Sequence, residues 1–383
     1  MRAAIEALPG SKIREVANAG IGRADVLAFW FGESDEPTPE FIRAAAIGSL
    51  QAGETFYAHN LGLTELRNAV AGYIGGLHRA VEPGRIAVTS SGVNALMLAM
   101  QALAGAGDEV AVVVPVWPNL TAQPAIMGAR VRRVPLRVDA GAWRLDLESL
   151  LAAVTSDTRV LVVNAPNNPT GWTLTADEQR AILEHCRRTG TWIVADEVYE
   201  RIYFEPGRRA APSFLDLADA DDRLVVVHSF SKSFLMTGWR LGWIVVPEAL
   251  IEAVGKLIEF NTSCAPVFVQ RAAIAALGRA DVFVPGLVQR MKACRDVLLP
   301  RLAELPGVSV AVPQGGMYAF FRLDGENDSL ALAKRLVVEA GLGLAPGAAF
   351  GPESEGWLRW CFASRDPERL GLGVDRLAKF VGL

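Results

Sequence analysis

From about residue 64 onward, short apolar segments alternate with amphipathic ones, and this alternation constrains the fold more than any other feature of the chain. Apolar, β-branched runs such as "DEVAVVVP" (108–115), "TRVLVVN" (158–164) and "RLVVVHS" (223–229) have the length of buried strands. Helical patterns such as "TADEQRAILEHCRRTG" (175–190) separate several of them. Strands that are apolar throughout predict a largely parallel sheet with helices on both faces, and ligands of such sheets bind beyond the carboxyl ends of the strands.

The character of the sequence changes after about residue 280. A long helical stretch (281–305) leads into "VSVAVPQGGMYAFFRL" (308–323), a further helix, and a final strand and helix. We therefore predict an α/β protein with a large domain at residues 46–280 and a smaller α+β domain at residues 281–383. The first 45 residues offer no strand to the large sheet, so residues 1–45 are predicted to pack on the smaller domain. A chain of 383 residues is long enough for two domains.

Composition and charge argue against several classes of protein. The net charge is only -4, and no basic stretch suggests nucleic acid as a partner. The histidines lack metal-ligand spacing, so no metal site is expected. The N-terminus lacks the apolar core of a signal peptide, and the apolar runs are shorter than the roughly 20 residues that span a bilayer. The four cysteines are widely spaced and form no CxxC pair: Cys186, Cys264, Cys294 and Cys361. Together these features predict a soluble cytoplasmic protein.

Polar residues stand at the ends of two neighbouring buried-strand patterns. In "VLVVNAPNNPTG" (160–171), the prolines and the glycine enforce a tight loop that turns Asn167 or Asn168 toward the space above the sheet. In "WIVADEVYE" (192–200), the apolar strand delivers Asp196 to its own carboxyl end. The alternative for these residues is structural, because Asn often stabilises a turn and Asp often caps a helix.

A third polar cluster follows the strand pattern "RLVVVHS", where Ser229, Ser231 and Lys232 come in close succession. Burial disfavours an ammonium group, so a lysine at a buried strand end has a lowered pKa and can attack aldehydes. The alternative is a solvated lysine in a surface loop. The neighbouring polar strand ends favour Schiff-base chemistry instead.

Four motifs occur together and in order: "VWPN" (116–119), "NAPNNPTG" (164–171), "ADEVY" (195–199) and "SFSKSFLMTGWRLGW" (229–243). With them the chain resembles a pyridoxal-phosphate-dependent aminotransferase of fold type I, in the aspartate aminotransferase superfamily of class I/II aminotransferases. The segments "GESDEPTPE" and "LRWCFA" extend the resemblance over nearly the whole chain. The resemblance implies a mostly parallel seven-stranded sheet flanked by helices in the large domain. It also implies pyridoxal 5'-phosphate (PLP) as the cofactor.

The resemblance assigns roles around the cofactor ring. Lys232 would form the Schiff base with PLP and would move the substrate proton once an amino acid displaces it. Asp196 would pair with the pyridine nitrogen, because a carboxylate raises the pKa of that nitrogen and keeps it protonated. Asn168 and Tyr199 would hydrogen-bond the phenolic oxygen of the ring, and Trp117 would stack on the ring face.

A phosphate and a substrate carboxylate need contacts of their own. The segment "VTSSGVNALMLAM" (88–100) places a Ser-Ser-Gly turn before a helix, whose first backbone amides can bind an anion, although a glycine before a helix is common for structural reasons alone. By resemblance, Tyr57 would reach the phosphate of the neighbouring subunit, which implies a homodimer. The predicted phosphate contacts within one chain are Ser91, Gly92, Val93, Ser229 and Arg240, and the predicted contacts of the amino-acid carboxylate are Arg359, Gly32 and Asn168.

The predicted reaction moves the amino group of an L-amino acid to a 2-oxo acid in two half-reactions of ping-pong type. The chain departs from the family pattern in two places: Glu36 stands where the family commonly has an aromatic residue, which bears on substrate entry, and Val93 lacks a side-chain donor, which removes one optional contact at the start of the cofactor-binding helix. Because no second arginine or lysine for a side-chain carboxylate is evident, neutral or aromatic amino acids are favoured. Two alternatives remain, a β-eliminating C–S lyase of the same fold and a non-catalytic PLP-binding regulatory module. A lyase would release ammonia and pyruvate without needing a 2-oxo acid.

Overall fold

A seven-stranded sheet lies at the centre of the protein, in a computed structural model that describes residues 1–382. None of the helices within this range is both long and apolar enough to cross a bilayer. The helices are α1 (Ala3–Glu6), α2 (Lys12–Gly20), α3 (Glu40–Gln51), α4 (Thr64–Gly75), α5 (Gly92–Leu103), α6 (Asn119–Met127), α7 (Leu147–Ala153), α8 (Ala176–Thr189), α9 (Glu248–Thr262), α10 (Val267–Gly278), α11 (Ala280–Ala303), α12 (Ser329–Arg335) and α13 (Pro367–Phe380). The strands are β1 (Leu27–Ala28), β2 (Ile86–Thr89), β3 (Glu109–Val114), β4 (Arg130–Pro135), β5 (Arg137–Asp139), β6 (Ala142–Arg144), β7 (Thr158–Asn164), β8 (Trp192–Asp196), β9 (Leu224–Ser229), β10 (Gly242–Val245), β11 (Val308–Val310), β12 (Tyr318–Leu323), β13 (Leu342–Gly343), β14 (Ala345–Pro346) and β15 (Trp357–Cys361).

The central sheet has the strand order β2-β10-β9-β8-β7-β3-β4. The run from β9 to β4 is parallel, whereas β10 is antiparallel to both β2 and β9. The prediction of an α/β fold with a mostly parallel seven-stranded sheet is therefore confirmed. The direction of β10 was not predicted, because a strand buried on both faces is apolar whichever way it runs.

Side chains of the central strands alternate between two apolar cores, one on each face of the sheet. In β9, Val225 and Val227 belong to one core, whereas Leu224 and Val226 belong to the other. Every residue of this strand is buried. Burial on both faces explains why the strand sequences are apolar throughout instead of alternating with polar residues.

Strands β7, β8 and β9 end at the same edge of the sheet, and polar residues occupy that edge. Asn164 at the end of β7 lies in register with Asp196 at the end of β8. Ser229 ends β9 and is followed by the turn that carries Lys232. Parallel neighbours bring their carboxyl ends together, so three separate sequence motifs meet at one place.

A second sheet, antiparallel, forms in the C-terminal part with the order β11-β12-β15-β14. Arg359 lies in β15, where it pairs with Phe320 of β12. The N-terminal segment contacts this part of the chain, since β1 pairs in parallel with β13 and α2 contacts β14. The domain boundaries at residues 45 and 280 stay a prediction.

Candidate active site

A cleft of about 640 Å³ opens at the carboxyl ends of β7, β8 and β9, and the N-terminal segment forms one of its walls. Most of the residues singled out in the sequence line it. The exceptions are Ser91, which is buried and precedes Gly92 of the lining, and Tyr57, which stands on the surface with 89% of its area exposed. The predicted residues that line the cleft are Gly32, Gly92, Val93, Trp117, Asn168, Asp196, Tyr199, Ser229, Lys232, Arg240 and Arg359.

The amino group of Lys232 projects into the cleft from the turn after β9. Its Nζ atom donates a hydrogen bond to the carbonyl oxygen of Gly32 at 2.6 Å and lies 5.7 Å from the centre of the Tyr199 ring. Burial lowers the pKa of Lys232 to about 8, because desolvation penalises the ammonium form. Near neutral pH, Lys232 is therefore a neutral amine in a larger fraction of the molecules than an exposed lysine would be. The neutral amine is the form that attacks carbonyl carbons and accepts protons.

The carboxylate of Asp196 is buried at the end of β8, where it has few hydrogen-bond donors. From the residues that the structure describes, the carboxylate accepts one hydrogen bond, a long one from the backbone amide of Val198 to Oδ1 at 3.4 Å. Burial raises the pKa of Asp196 to about 7, a shift that the amide of Val198 and the charge of Lys232 only partly offset. A buried carboxylate with so weak a donor is suited to a cationic partner in the cleft, such as a protonated ring nitrogen.

The loop after β7 separates the roles of its two consecutive asparagines. Asn167 Oδ1 accepts hydrogen bonds from the backbone amide and the hydroxyl of Thr170, at 3.0 and 2.7 Å, so this side chain holds the turn. Asn168 faces the cleft, and its backbone amide donates to Asn164 Oδ1 at 2.8 Å. The turn pattern by itself left open which asparagine faces the cleft, the family resemblance indicated Asn168, and Asn168 is the one that lines the cleft.

The guanidinium group of Arg359 is buried at the base of the cleft. It lies between the rings of Tyr318 and Phe350, 4.4 and 4.9 Å from their centres, where cation–π attraction favours the charge. It donates to Asn168 Oδ1 at 2.9 Å and to the carbonyl oxygen of Trp30. Within residues 1–382 no carboxylate pairs with it, and its Nε atom has no hydrogen-bond partner. The group therefore has capacity left for an external carboxylate.

Tyr199 and Tyr318 form a buried hydroxyl pair beside the lysine, with their Oη atoms 2.7 Å apart. Burial raises the pKa of both phenols, so each stays protonated at neutral pH. Tyr318 also explains the glycine at position 32, because a Cβ atom there would lie 2.2 Å from the Tyr318 hydroxyl. No motif in the sequence pointed to Tyr318.

The N-terminus of α5 borders the cleft and presents backbone amides to it. Ser91 caps the helix, with its Oγ accepting from the amide of Asn94 at 3.1 Å. Its hydroxyl is thus engaged in the helix, while Gly92 and Val93 line the cleft. Ser229 packs beside Gly92, whose added Cβ would lie 3.2 Å from that of Ser229. Free amides at a helix start form a site suited to an anion.

Several cleft residues have no role predicted from the sequence. Arg14 and Glu33 come from the N-terminal segment, and Thr237 follows the lysine turn. Periodicity marks the side of a helix that is buried, but it does not show which exposed residue faces a distant strand. The sequence argument for neutral substrates did not count Arg14 as a cation in this cleft.

The cleft fits PLP in three respects. A partly buried amine with a lowered pKa is available for an aldehyde, and a buried carboxylate without a strong partner is available for a ring nitrogen. The helix start and the exposed guanidinium of Arg240 are available for a phosphate. All of these groups belong to the same cleft.

Known proteins resemble this chain over most of its length. A family model described as "Aminotransferase class I and II" matches residues 24–377. The chain is 33% identical over 377 residues to a probable aspartate/prephenate aminotransferase of Aquifex aeolicus, covering 96% of this chain and 93% of that protein. It is 30% identical over 381 residues to aromatic-amino-acid aminotransferase 2 of Thermococcus litoralis, covering 98% and 96%. The crystal structure of an aspartate aminotransferase from Thermotoga maritima superposes with a TM-score of 0.92 at 32% identity, covering 100% of both chains.

The fold, the cleft and the similarity point to the same family. The matched region contains the central sheet and the strand ends that carry Asp196 and Lys232. The chain belongs to the class I and II aminotransferases, which are PLP-dependent enzymes that act on amino acids and 2-oxo acids.

Proposed function

We propose that Lys232 is the covalent anchor and the proton carrier of this aminotransferase. The observation that carries the proposal is the meeting of Lys232, Asp196 and Arg359 in one cleft. These residues offer an amine of lowered pKa, a buried carboxylate and a guanidinium with spare donors. The protein would use them to move an amino group from an L-amino acid to a 2-oxo acid, in two half-reactions.

Each of these groups would have a distinct task. PLP supplies an aldehyde that condenses with amines and a ring that takes up electrons from the substrate α-carbon. Asp196 would hold the proton on the ring nitrogen. Arg359 would bind the α-carboxylate, with Gly32 and Asn168 as neighbouring contacts. The neutral amine of Lys232 would take the α-proton, since a base with a pKa of about 8 works well near neutral pH.

Other residues would keep the cofactor in place while Lys232 is displaced. The amides of Gly92 and Val93, the hydroxyl of Ser229 and the guanidinium of Arg240 would bind the phosphate. Ser91 contributes by capping α5, since its hydroxyl already accepts from Asn94. On the ring itself, Trp117 would stack against the face, and Asn168 and Tyr199 would contact the phenolic oxygen.

Single half-reactions distinguish transamination from β-elimination. The purified holoenzyme is mixed with an amino acid in the absence of any 2-oxo acid, and the cofactor absorbance and the products are followed. We expect conversion of the cofactor to its amine form and release of one 2-oxo acid per site, with recovery only after a second 2-oxo acid is added. Continuous release of ammonia and pyruvate without added 2-oxo acid would establish the lyase instead. An absorbance that responds to no amino acid would favour the regulatory module.

We further propose that the active unit is a homodimer in which Tyr57 reaches the phosphate of the neighbouring subunit. Phe56 and Tyr57 support this, because two adjacent aromatic side chains are 83% and 89% exposed, which is costly without a partner surface.

Replacing Tyr57 with phenylalanine is expected to weaken PLP binding by roughly tenfold or more, because a hydrogen bond to a charged group is lost. Cofactor dissociation from the holoenzyme measures the change, and light scattering measures the oligomeric state. Tyr203→Phe serves as the matched control, since Tyr203 lies outside the cleft. A monomer in solution, or equal cofactor affinity in the Tyr57 and Tyr203 variants, would contradict the proposal.

A cytoplasmic location is also part of the proposal. All four cysteines are free thiols, which suits a reducing compartment. Cell fractionation tests this point, and recovery of the protein mainly outside the cytoplasm would contradict it.

A further inference from the structure

We propose that Tyr318 positions Tyr199 for the cofactor: the Tyr318 hydroxyl donates to the Tyr199 oxygen, so that the Tyr199 proton is free to point into the cleft. The inference rests on the proposed function, because it assumes that Tyr199 contacts the phenolic oxygen of PLP. It assigns a role to Tyr318, which no motif in the sequence indicated.

The two hydroxyl groups come from different parts of the fold and meet in the cleft. Tyr199 lies in the segment after β8, whereas Tyr318 is the first residue of β12. Both side chains are buried, and both line the cleft. Their Oη atoms are 2.7 Å apart, and their rings meet edge to face at 79°, with the ring centres 5.8 Å apart.

Three contacts fix the place of the Tyr318 hydroxyl. The backbone of Tyr318 pairs with Cys361 of β15. The guanidinium group of Arg359 lies 4.4 Å from the centre of the Tyr318 ring. The hydroxyl packs against Gly32, where an added Cβ atom would lie 2.2 Å from it. A side chain held in this way can direct its hydroxyl with little further loss of conformational freedom.

The direction of the hydrogen bond between the hydroxyls decides what Tyr199 can offer the cofactor. Within residues 1–382, each hydroxyl has the other as its one hydrogen-bond partner, and either could donate. Both phenols carry a proton at neutral pH, because burial raises the pKa of each. If Tyr199 donated to Tyr318, it could only accept from the cleft, whereas an ionised phenolic oxygen needs a donor. Tyr318 therefore has to donate to Tyr199 when PLP is bound.

The absorbance of bound PLP reports on the donor that Tyr199 offers. The nitrogen that joins PLP to Lys232 shares its proton with the phenolic oxygen, and the absorbance changes when that proton is lost. A donor to the oxygen stabilises the deprotonated form and lowers the pH of the change. Hydrogen bonds in series polarise one another, so Tyr318 strengthens the donor. Loss of either hydroxyl should therefore raise the pH midpoint of the absorbance change.

The first test is a pH titration of the cofactor absorbance in the holoenzyme. Tyr318→Phe should raise the midpoint by roughly 0.4 to 1 pH unit, the effect of one neutral hydrogen bond. Tyr199→Phe should raise it by more, roughly 1 to 2 units, because its bond is made to a charged oxygen. Tyr203→Phe is the matched control and should not move the midpoint, since Tyr203 lies outside the cleft.

The second test combines the two substitutions in one protein. If Tyr318 acts through Tyr199, the variant that lacks both hydroxyls should have the same midpoint as Tyr199→Phe alone. A shift by Tyr318→Phe that persists in full when Tyr199 is already phenylalanine would overturn the inference, because Tyr318 would then act on the cofactor directly.

The third test asks whether the role of Tyr318 is only structural. Phenylalanine keeps the ring beside Arg359, so the melting temperature of the Tyr318→Phe apoenzyme should stay within about 4 °C of that of the unaltered apoenzyme. A larger fall in melting temperature together with an unchanged absorbance midpoint would indicate a structural role and would overturn the inference.

The outcomes separate this inference from the proposed function. If the unaltered protein binds no PLP, the proposed function fails and the inference fails with it. If the enzyme transaminates and Tyr199→Phe moves the midpoint but Tyr318→Phe does not, the inference alone fails. If neither substitution moves the midpoint, the inference fails and the role given to Tyr199 is wrong as well.

Discussion

Replacing Lys232 with alanine is expected to remove the covalent bond to PLP and to lower transamination by about a thousandfold or more. Two losses combine in this variant, since the amine that binds the aldehyde and the base that carries the proton are the same atom. The protein should still fold, because the side chain makes one hydrogen bond, to the carbonyl of Gly32. Absorbance of the cofactor and single-turnover kinetics measure the two losses separately.

Lys379→Ala is the matched control for this variant. Lys379 lies in α13, is exposed and stands outside the cleft, so its removal should leave spectrum and rate unchanged. Turnover by Lys232→Ala at a rate near that of the unaltered enzyme would show that another group carries the proton.

Replacing Asp196 with asparagine is expected to lower kcat by roughly 10²- to 10³-fold while the covalent bond to PLP remains. The amide has nearly the same shape but no charge, so it cannot favour a protonated ring nitrogen. The carboxylate is buried with one weak donor, and its neutral replacement should therefore not lower the thermal stability of the apoenzyme. A slow reaction with intact cofactor absorbance would distinguish this variant from Lys232→Ala.

Asp177→Asn provides the comparison for this second variant. Asp177 is an exposed carboxylate at the start of α8 and pairs with Arg180 at 2.6 Å. Its replacement should change neither kcat nor the absorbance. If Asp196→Asn retained kcat within about threefold, the role given to Asp196 would be wrong, because the loss of a preorganised charge has a larger effect.

Much of the fold was readable from the sequence because burial leaves a local pattern. The strands "TRVLVVN" and "RLVVVHS" correspond closely to β7 and β9, and the helix at residues 175–190 corresponds to α8. A strand covered on both faces has to be apolar along its length, so its presence shows without any knowledge of its neighbours. The direction of such a strand leaves no pattern in the sequence, so only the structure showed that β10 is antiparallel to its neighbours.

The residues of the candidate site were likewise predictable only in part. Asp196 and Lys232 were predicted because Asp196 ends a strand and Lys232 lies in the turn after one, and strand ends meet at one edge of a parallel sheet. Tyr318 and Arg14 were not predicted. Tyr318 lies 119 residues from Tyr199 along the chain, and only the tertiary contact between β12 and the segment after β8 brings the two hydroxyls together.

By itself, the sequence determined the α/β class, the ordered motifs of the aminotransferase family and the residues suited to hold PLP. The tertiary structure alone decided that Asn167 holds the turn, that Tyr318 pairs with Tyr199, and that Arg14 lines the cleft with no ion pair among residues 1–382. The physical reason is the distance along the chain over which each signal acts. Apolar periodicity and turn residues are visible within a few positions, whereas the role of a charged residue in a cleft depends on groups that only folding brings near it.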